Sequence, residues 1–130
     1  MPEKVSQKLE IIFSILVVVI LLEIAHFTVL SSDMSFIINK FFFFGTFGTN
    51  WLAIIISLAF LTIVLIYVKR RHVSPLALIF VLSGALTNII DRFAHGGSID
   101  YVKLLNVPLF NIPDVLIIIG LAIFFFEVAL

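Results

Sequence analysis

The chain has 130 residues, of which 62% are hydrophobic and 12% charged, with a formal net charge of zero and no cysteine. Soluble domains carry about 45–50% apolar and about 25% charged residues, so this composition excludes an ordinary soluble fold and indicates a membrane protein. Without cysteine there is no disulfide, thiolate or cysteine metal site, and the neutral charge gives no reason to expect a nucleic-acid partner.

Four apolar runs are long enough to cross a bilayer as helices. A bilayer core about 30 Å thick needs roughly 20 apolar helical residues. Strands that span membranes alternate in polarity, and these runs do not. We therefore predict one all-α, integral membrane domain over residues 1–130, with four transmembrane helices and a short extracytoplasmic arm or loop. The predicted spans are residues 9–30, 51–68, 73–90 and 115–130.

The basic residues predict the orientation of these spans. Lys4 and Lys8 precede the first run, and a basic cluster at 69–71 lies between the second and third runs. Because Lys and Arg accumulate in cytoplasmic segments, we expect both termini in the cytoplasm and residues 31–50 and 91–114 at the outer face.

The first run and the segment after it contain unusual residues. Glu23 and His26 interrupt the run at a spacing of i, i+3, so they could pair with each other, and a structural pair is favoured over catalysis. A secretory signal peptide is the alternative interpretation of this run, but the run is too long and no small-x-small cleavage site follows. The four phenylalanines at 41–44 are expected to lie in the interface or to pack on the bundle.

Polar residues cluster at the outer end of the third helix. Such residues are energetically costly at membrane depth, so their presence indicates a function. Their spacing of i, i+4, i+7 and i+8 puts them on one stripe of the helix. These residues are Gly84, Asn88, Asp91 and Arg92.

Two further aspartates are expected at the same outer surface. Asp100 lies in the outer loop, and Asp114 follows Asn111 and Pro113 at the start of the fourth helix, where proline and a carboxylate are both favoured. Two carboxylates that converge in a partly dry site share a proton. One can then take a proton from water while the other donates to a scissile carbonyl, so the pattern indicates aspartic catalysis without a metal or cofactor.

Three motifs carry a family resemblance. Residues 84–92 (GALTNIIDR), 96–101 (GGSIDY) and 110–114 (FNIPD) resemble, in order and spacing, the motifs of lipoprotein signal peptidase (signal peptidase II). In the last of them, Pro113 occupies the place of the family's usual alanine.

This resemblance implies an intramembrane aspartic endopeptidase that cleaves signal peptides from lipid-modified bacterial prolipoproteins, just before the lipidated cysteine. By position, Asp100 and Asp114 would be the catalytic pair, and Asp91 would orient Arg92 or cap the helix end. The residues that would position the substrate are Asn88, Asp91, Arg92 and Asn111. The expected setting is the bacterial cytoplasmic (inner) membrane, with the site at the outer face. The expected partners are prolipoprotein signal peptides and membrane lipids but no nucleic acid, and we expect a monomer without a cofactor.

The first half of the chain departs from the family pattern. Glu23 stands near the family's first-helix aspartate, Phe27 stands where its lysine would fall, and Asn39 is a weak counterpart of its outer-loop asparagine. Two other functions therefore stay open: a family member that binds lipidated peptides without cutting them, and a small proton- or ion-conducting membrane subunit.

Overall fold

The structure is a computed structural model and describes residues 3–40 and 49–129. Within these residues, four helices are long and apolar enough to cross a membrane. They are α1 (Glu3–Ser31), α2 (Asn50–Arg70), α3 (Pro75–His95) and α4 (Ile112–Ala129). The prediction of a helical membrane protein with four spans is confirmed. The phenylalanines at 41–44 lie outside the described residues, so the prediction for them stays a prediction.

The helices extend past the apolar runs from which the spans were predicted. α1 begins at Glu3 rather than residue 9, α3 ends at His95 rather than residue 90, and α4 begins at Ile112 rather than residue 115. Backbone hydrogen bonding continues through polar residues, so hydropathy alone cannot set these bounds. As a consequence, several polar residues of the predicted site lie within helices rather than in loops.

Local sequence explains where α2 and α3 begin and where α3 ends. The Thr49 side chain accepts a hydrogen bond from the Leu52 backbone N–H, and Ser74 does the same for Ala77, each at 3.2 Å. Such N-caps satisfy donors that a helix start leaves free. α3 stops at Gly96, whose φ of 79° is in the left-handed region that glycine adopts without strain.

Two small antiparallel sheets lie at the end of the bundle where α3 ends and α4 begins, which we call the site end. β1 (Ile37–Asn39) pairs with β2 (Ser98–Asp100), and β3 (Val102–Leu104) pairs with β4 (Val107–Phe110). Only an arm or loop was predicted here, because strands of three or four residues are too short to show an alternating pattern.

α3 is the helix around which the others pack. It contacts α1, α2 and most extensively α4, and its buried residues include Ala77, Ser83 and Ala85. A Cβ at Gly84 would lie 2.4 Å from the Pro113 carbonyl oxygen, so only glycine permits this crossing with α4. Small residues commonly allow such close approach between membrane helices. The contact fixes the start of α4, and with it Asp114, against α3.

Candidate active site

Asp100 ends β2 and is 2% exposed. Its Oδ2 accepts a hydrogen bond from Asn39 Nδ2 at 3.1 Å. Its Oδ1 accepts from Ser98 Oγ at 3.2 Å and from Asn111 Nδ2 at 3.1 Å. The β1–β2 pairing positions this carboxylate, because it aligns Asn39 opposite Ser98 and brings the amide within reach.

Asp114 lies in the first turn of α4, and its carboxylate accepts hydrogen bonds from neutral groups. Oδ1 accepts from Asn88 Nδ2 at 3.0 Å, and Oδ2 accepts from the Asn111 backbone N–H at 3.1 Å. In return, the Asp114 backbone N–H donates to Asn111 Oδ1 at 2.9 Å. This reciprocal capping at the helix start fixes the side-chain direction.

Asn111 joins the two carboxylates. It is fully buried, and its Nδ2 lies 3.1 Å from Asp100 Oδ1, 2.8 Å from Asn88 Oδ1 and 3.1 Å from the Ile99 carbonyl oxygen. The amide has two hydrogens for three acceptors, so two of these contacts share one hydrogen. The structure thus brings Asp100, Asp114, Asn88 and Asn111 together in one hydrogen-bonded group.

Arg92 lies beside this group, near the end of α3. Its Nη1 donates to the Asn39 carbonyl oxygen and to Asn50 Oδ1, each at 3.2 Å, and Asn50 Nδ2 donates to the Arg92 carbonyl oxygen at 3.1 Å. The guanidinium is therefore held between β1 and the start of α2. Its positive charge acts on Asp100 from there.

The surroundings of Asp100 change its proton affinity. Burial raises the pKa of Asp100 to about 6; the hydrogen bond from Asn39 opposes this rise, whereas the charge of Asp114 adds to it. The Ser98 hydrogen bond and the Arg92 charge act in the lowering direction. An aspartate that keeps its proton to about pH 6 is suited to share one proton with a neighbouring carboxylate.

Asp91 occupies a different position from the other predicted residues. It is fully buried inside α3, four residues before the helix ends, and its Oδ2 lies 2.6 Å from His26 Nδ1. Asp91 was expected to orient Arg92 or to cap the helix end, but the structure gives it a partner on α1. His26 was expected to pair with Glu23; its hydrogen bonds go to Asp91 and, at 3.0 Å, to the Tyr101 hydroxyl. Phe27, the next residue of α1, is 71% exposed.

One set of side chains has the composition of a metal site. Donor atoms of Glu23, His26 and Asp91 all lie within 4.8 Å of one another. Carboxylate and imidazole groups are ordinary ligands for several divalent metals. Both ring nitrogens of His26, however, already have protein hydrogen-bond partners, so a metal would have to break at least one of these contacts.

Sequence reasoning missed several residues that shape the site. Ser98 could have been found, since residues two apart on a strand share a face and Asp100 was already identified. Asn39 was noted only as a weak counterpart of a family asparagine. Asn50 gave no signal of its own. His26 was noted only as an interruption of the first run and Tyr101 only as part of the GGSIDY motif, because their contacts depend on how distant segments pack.

Comparison with known proteins agrees with the resemblance of the three sequence motifs. Residues 8–130 match a family model described as "Signal peptidase (SPase) II". The chain is 36% identical over 95 residues to a lipoprotein signal peptidase of Gloeothece citriformis, and the alignment covers 68% of this chain and 59% of that protein. It is 35% identical over 94 residues to a lipoprotein signal peptidase of Brevibacillus brevis, with coverage of 71% and 59%. The matches to these two curated relatives thus span less than two thirds of the relatives' length.

Two solved structures share the fold. The first is described as "Bacterial membrane enzyme structure by the in meso method at 2.3 A resolution", with a TM-score of 0.78 and 21% identity over 92% of this chain and 87% of that one. The second, a bacterial membrane enzyme at 1.9 Å, has a TM-score of 0.75 and 19% identity over 92% of both chains. The four-helix arrangement is therefore that of known bacterial membrane proteins.

Proposed function

This chain belongs to the signal peptidase II family, and from this we propose that it is an aspartic endopeptidase of the membrane that removes signal peptides from lipid-modified bacterial prolipoproteins. The observation that carries the proposal is the pair of carboxylates, Asp100 and Asp114, which come from separate segments and share Asn111 as a hydrogen-bond partner. The relatives' names supply the substrate class.

The chemistry follows from a pair that holds one proton. The ionised carboxylate takes a proton from a water molecule, whose oxygen then attacks the scissile carbonyl carbon. The protonated carboxylate donates its proton to the carbonyl oxygen, which gives a tetrahedral intermediate. When the C–N bond breaks, the carboxyl group that took the proton from water gives it to the leaving amine, and the other carboxylate takes a proton from a hydroxyl of the intermediate, so the pair again holds one proton. Asn88 and Asn111 hold the carboxylates in place, and Arg92 supplies positive charge beside the negative charge that develops on the substrate.

The charges on the chain support an outward-facing site. Lys69 and Arg70 form the last turn of α2, at the end of the bundle opposite the aspartates. Positive residues of short loops stay in the cytoplasm. The proposal therefore puts the site at the outer face of the bacterial cytoplasmic membrane, both termini in the cytoplasm, and lipids around a monomer.

The distribution of buried ionisable groups favours this proposal over a proton- or ion-conducting subunit. In the described part of the chain, the buried ionisable residues gather at the site end, and they include His26, Asp91, Arg92 and Asp100. A conducting path needs polar groups along the whole span. The non-catalytic alternative predicts the same geometry and is separated only by an assay.

The test replaces each aspartate by its isosteric amide. We expect Asp100→Asn and Asp114→Asn each to lower the cleavage rate of a lipidated prolipoprotein peptide by about 10²- to 10⁴-fold, because asparagine cannot carry the proton. The matched control is Asp33→Asn, since Asp33 is exposed in the segment after α1, and its rate should equal that of the wild type.

Two outcomes would count against the proposal. Near-wild-type turnover by either amide variant would remove that aspartate from the catalytic pair. A folded wild-type protein that binds the lipidated peptide but leaves it intact would instead support the non-catalytic alternative.

A further inference from the structure

A buried chain of hydrogen bonds runs from α1 to the first turn of α4, beside the catalytic pair. Asp91 Oδ2 lies 2.6 Å from His26 Nδ1, and His26 Nε2 lies 3.0 Å from the Tyr101 hydroxyl. The same hydroxyl accepts a hydrogen bond from the Ile112 backbone N–H at 3.3 Å. His26 and Asp91 are 1% and 0% exposed, and the proposed chemistry uses neither of them.

The partners of these groups assign the protons. Asp91 is a carboxylate that accepts, so His26 Nδ1 carries the hydrogen. If the ring is neutral, Nε2 accepts from the Tyr101 O–H, and the Tyr101 oxygen remains free to accept from Ile112. In this arrangement each of these three contacts has one donor and one acceptor, which is the usual condition of buried polar groups.

Glu23 completes the chain at the α1 side. Among the described residues, Glu23 Oε1 and Asp91 Oδ1 are buried oxygens without a hydrogen-bond partner, and both carboxyl groups belong to a set of donor atoms within 4.8 Å of one another. A hydrogen bond between the two carboxyl groups would give both oxygens a partner.

At its other end, the series of hydrogen bonds links the segment that carries Asp100 to the segment that carries Asp114. Tyr101 directly follows Asp100, and Ile112 precedes Asp114 by two residues. The Tyr101 backbone N–H also donates to the Phe110 carbonyl oxygen at 2.9 Å. A fixed Tyr101 hydroxyl therefore sets the distance between the end of β2 and the start of α4.

We propose that His26, held by Asp91 and Glu23, is a positioning residue that fixes the Tyr101 hydroxyl and through it the separation of Asp100 and Asp114. This inference rests on the proposed peptidase function. Small displacements of reacting groups have large kinetic effects, and an error of about 1 Å can cost on the order of 10²-fold in rate.

The kinetic test removes one oxygen atom. Tyr101→Phe keeps the ring in its contacts with Val29 and Ile99 but loses the hydroxyl. We expect kcat for a lipidated prolipoprotein peptide to fall about 10- to 100-fold while KM changes little, because the defect lies in the geometry of the aspartates. The matched control is Tyr67→Phe, whose ring packs on Phe124 near the other end of α2 and whose kcat should stay at the wild-type value.

A second pair of variants separates positioning from mere stability. In Glu23→Gln the amide can still donate to Asp91, so kcat should stay close to that of the wild type, whereas Glu23→Ala leaves Asp91 Oδ1 without a partner and should lower kcat. If Tyr101→Phe and Glu23→Ala lower the melting temperature but leave kcat of the folded protein unchanged, these hydrogen bonds serve only stability and the proposal is overturned.

A spectroscopic measurement tests the chain independently of activity. The protein has three histidines, so ¹⁵N-histidine NMR with His26→Asn as the assignment variant isolates the His26 ring. We expect hydrogen on Nδ1, and an Nε2 resonance that moves in Tyr101→Phe but not in Tyr67→Phe. An Nε2 resonance that stays in place in Tyr101→Phe, or a His26 signal that changes with EDTA or added Zn²⁺, would overturn the arrangement, the latter in favour of a metal site. If the wild type cleaves nothing, the proposed function fails, and the NMR result alone decides whether the chain of hydrogen bonds exists.

Discussion

At the scale of single residues, neutral amide groups, rather than cations alone, hold the two aspartate side chains in place. Asn39 and Asn111 donate to Asp100, and Asn88 donates to Asp114. A neutral donor stabilises an ionised carboxylate less than a direct ion pair would. The site can therefore fix both side chains in place and still leave a proton within the pair, which the proposed chemistry requires.

The pH dependence of cleavage follows from the proton affinity of Asp100. Burial raises the pKa of Asp100 to about 6, above its ordinary value, so the proton is present below about pH 6 and lost above it. The rate should consequently fall as the pH rises through this region. Asn39→Ala removes a hydrogen bond that lowers this pKa, so the descending limb of kcat/KM against pH should move upward by up to about one unit.

The groups that face Asp100 make this shift interpretable. Asp114, Arg92 and Ser98 remain in place in the variant, and the limb belongs to the coupled pair rather than to one residue. The control Asn106→Ala, in the exposed turn between β3 and β4, should leave the limb where it is. A limb that stays in place or moves to lower pH in Asn39→Ala would show that Asn39 does not act on the catalytic proton.

At the scale of secondary-structure elements, the contact of α3 with α4 sets the geometry of the site. Gly84 lets the α4 start approach α3 so closely that Asn88, one turn further along α3, reaches Asp114. Further along the same contact, Gly120 of α4 meets Val81, where a Cβ would lie 2.6 Å from Val81 Cγ2. Two glycines thus hold the same pair of helices together, but only one lies beside an aspartate.

Adding a methyl group at each glycine tests this difference. In Gly84→Ala the new Cβ meets the Pro113 carbonyl oxygen, so α4 must shift at its first turn; we expect a loss of about 1–3 kcal/mol in stability and a cleavage rate reduced at least about tenfold. Gly120→Ala should lose similar stability with a smaller effect on rate, because it lies nearly two turns beyond Asp114. Thermal unfolding and kcat are measured for both variants. Equal losses of cleavage rate would contradict a local role of Gly84 in placing Asp114.

At the scale of the whole molecule, hydropathy and motif spacing were enough to predict four helices and the cluster of polar residues at one end. The sequence could not show that β1 pairs with β2, and so it could not place Asn39 on Asp100. Nor could the sequence show which of two neighbouring residues on α1 is buried. His26 is 1% exposed and Phe27 is 71% exposed, but this helix is apolar on nearly every side. Its rotation is fixed by the hydrogen bonds of His26 with Asp91 and Tyr101, which depend on the packing of α1 against α3 and the site end.

If the chain acts on prolipoproteins as proposed, the position of the site along the helices gives a physical reason for the substrate to need a lipid. Asp114 is in the first turn of α4, whose 18 residues are about 27 Å long, close to the thickness of a bilayer core. The scissile bond must therefore be held near the lipid headgroups. A diacylglyceryl group on the residue after the bond provides this, since each buried methylene contributes about 0.8 kcal/mol of anchoring.

The most direct measurement of the central claim compares two versions of one prolipoprotein peptide in nanodiscs, with and without diacylglycerol on the cysteine. Mass spectrometry of the products locates the cut, and Asp114→Asn provides the background. The account predicts cleavage of the lipidated peptide only, immediately before the modified cysteine. Equal cleavage of both peptides, or no cleavage of either by a folded protein, would contradict it.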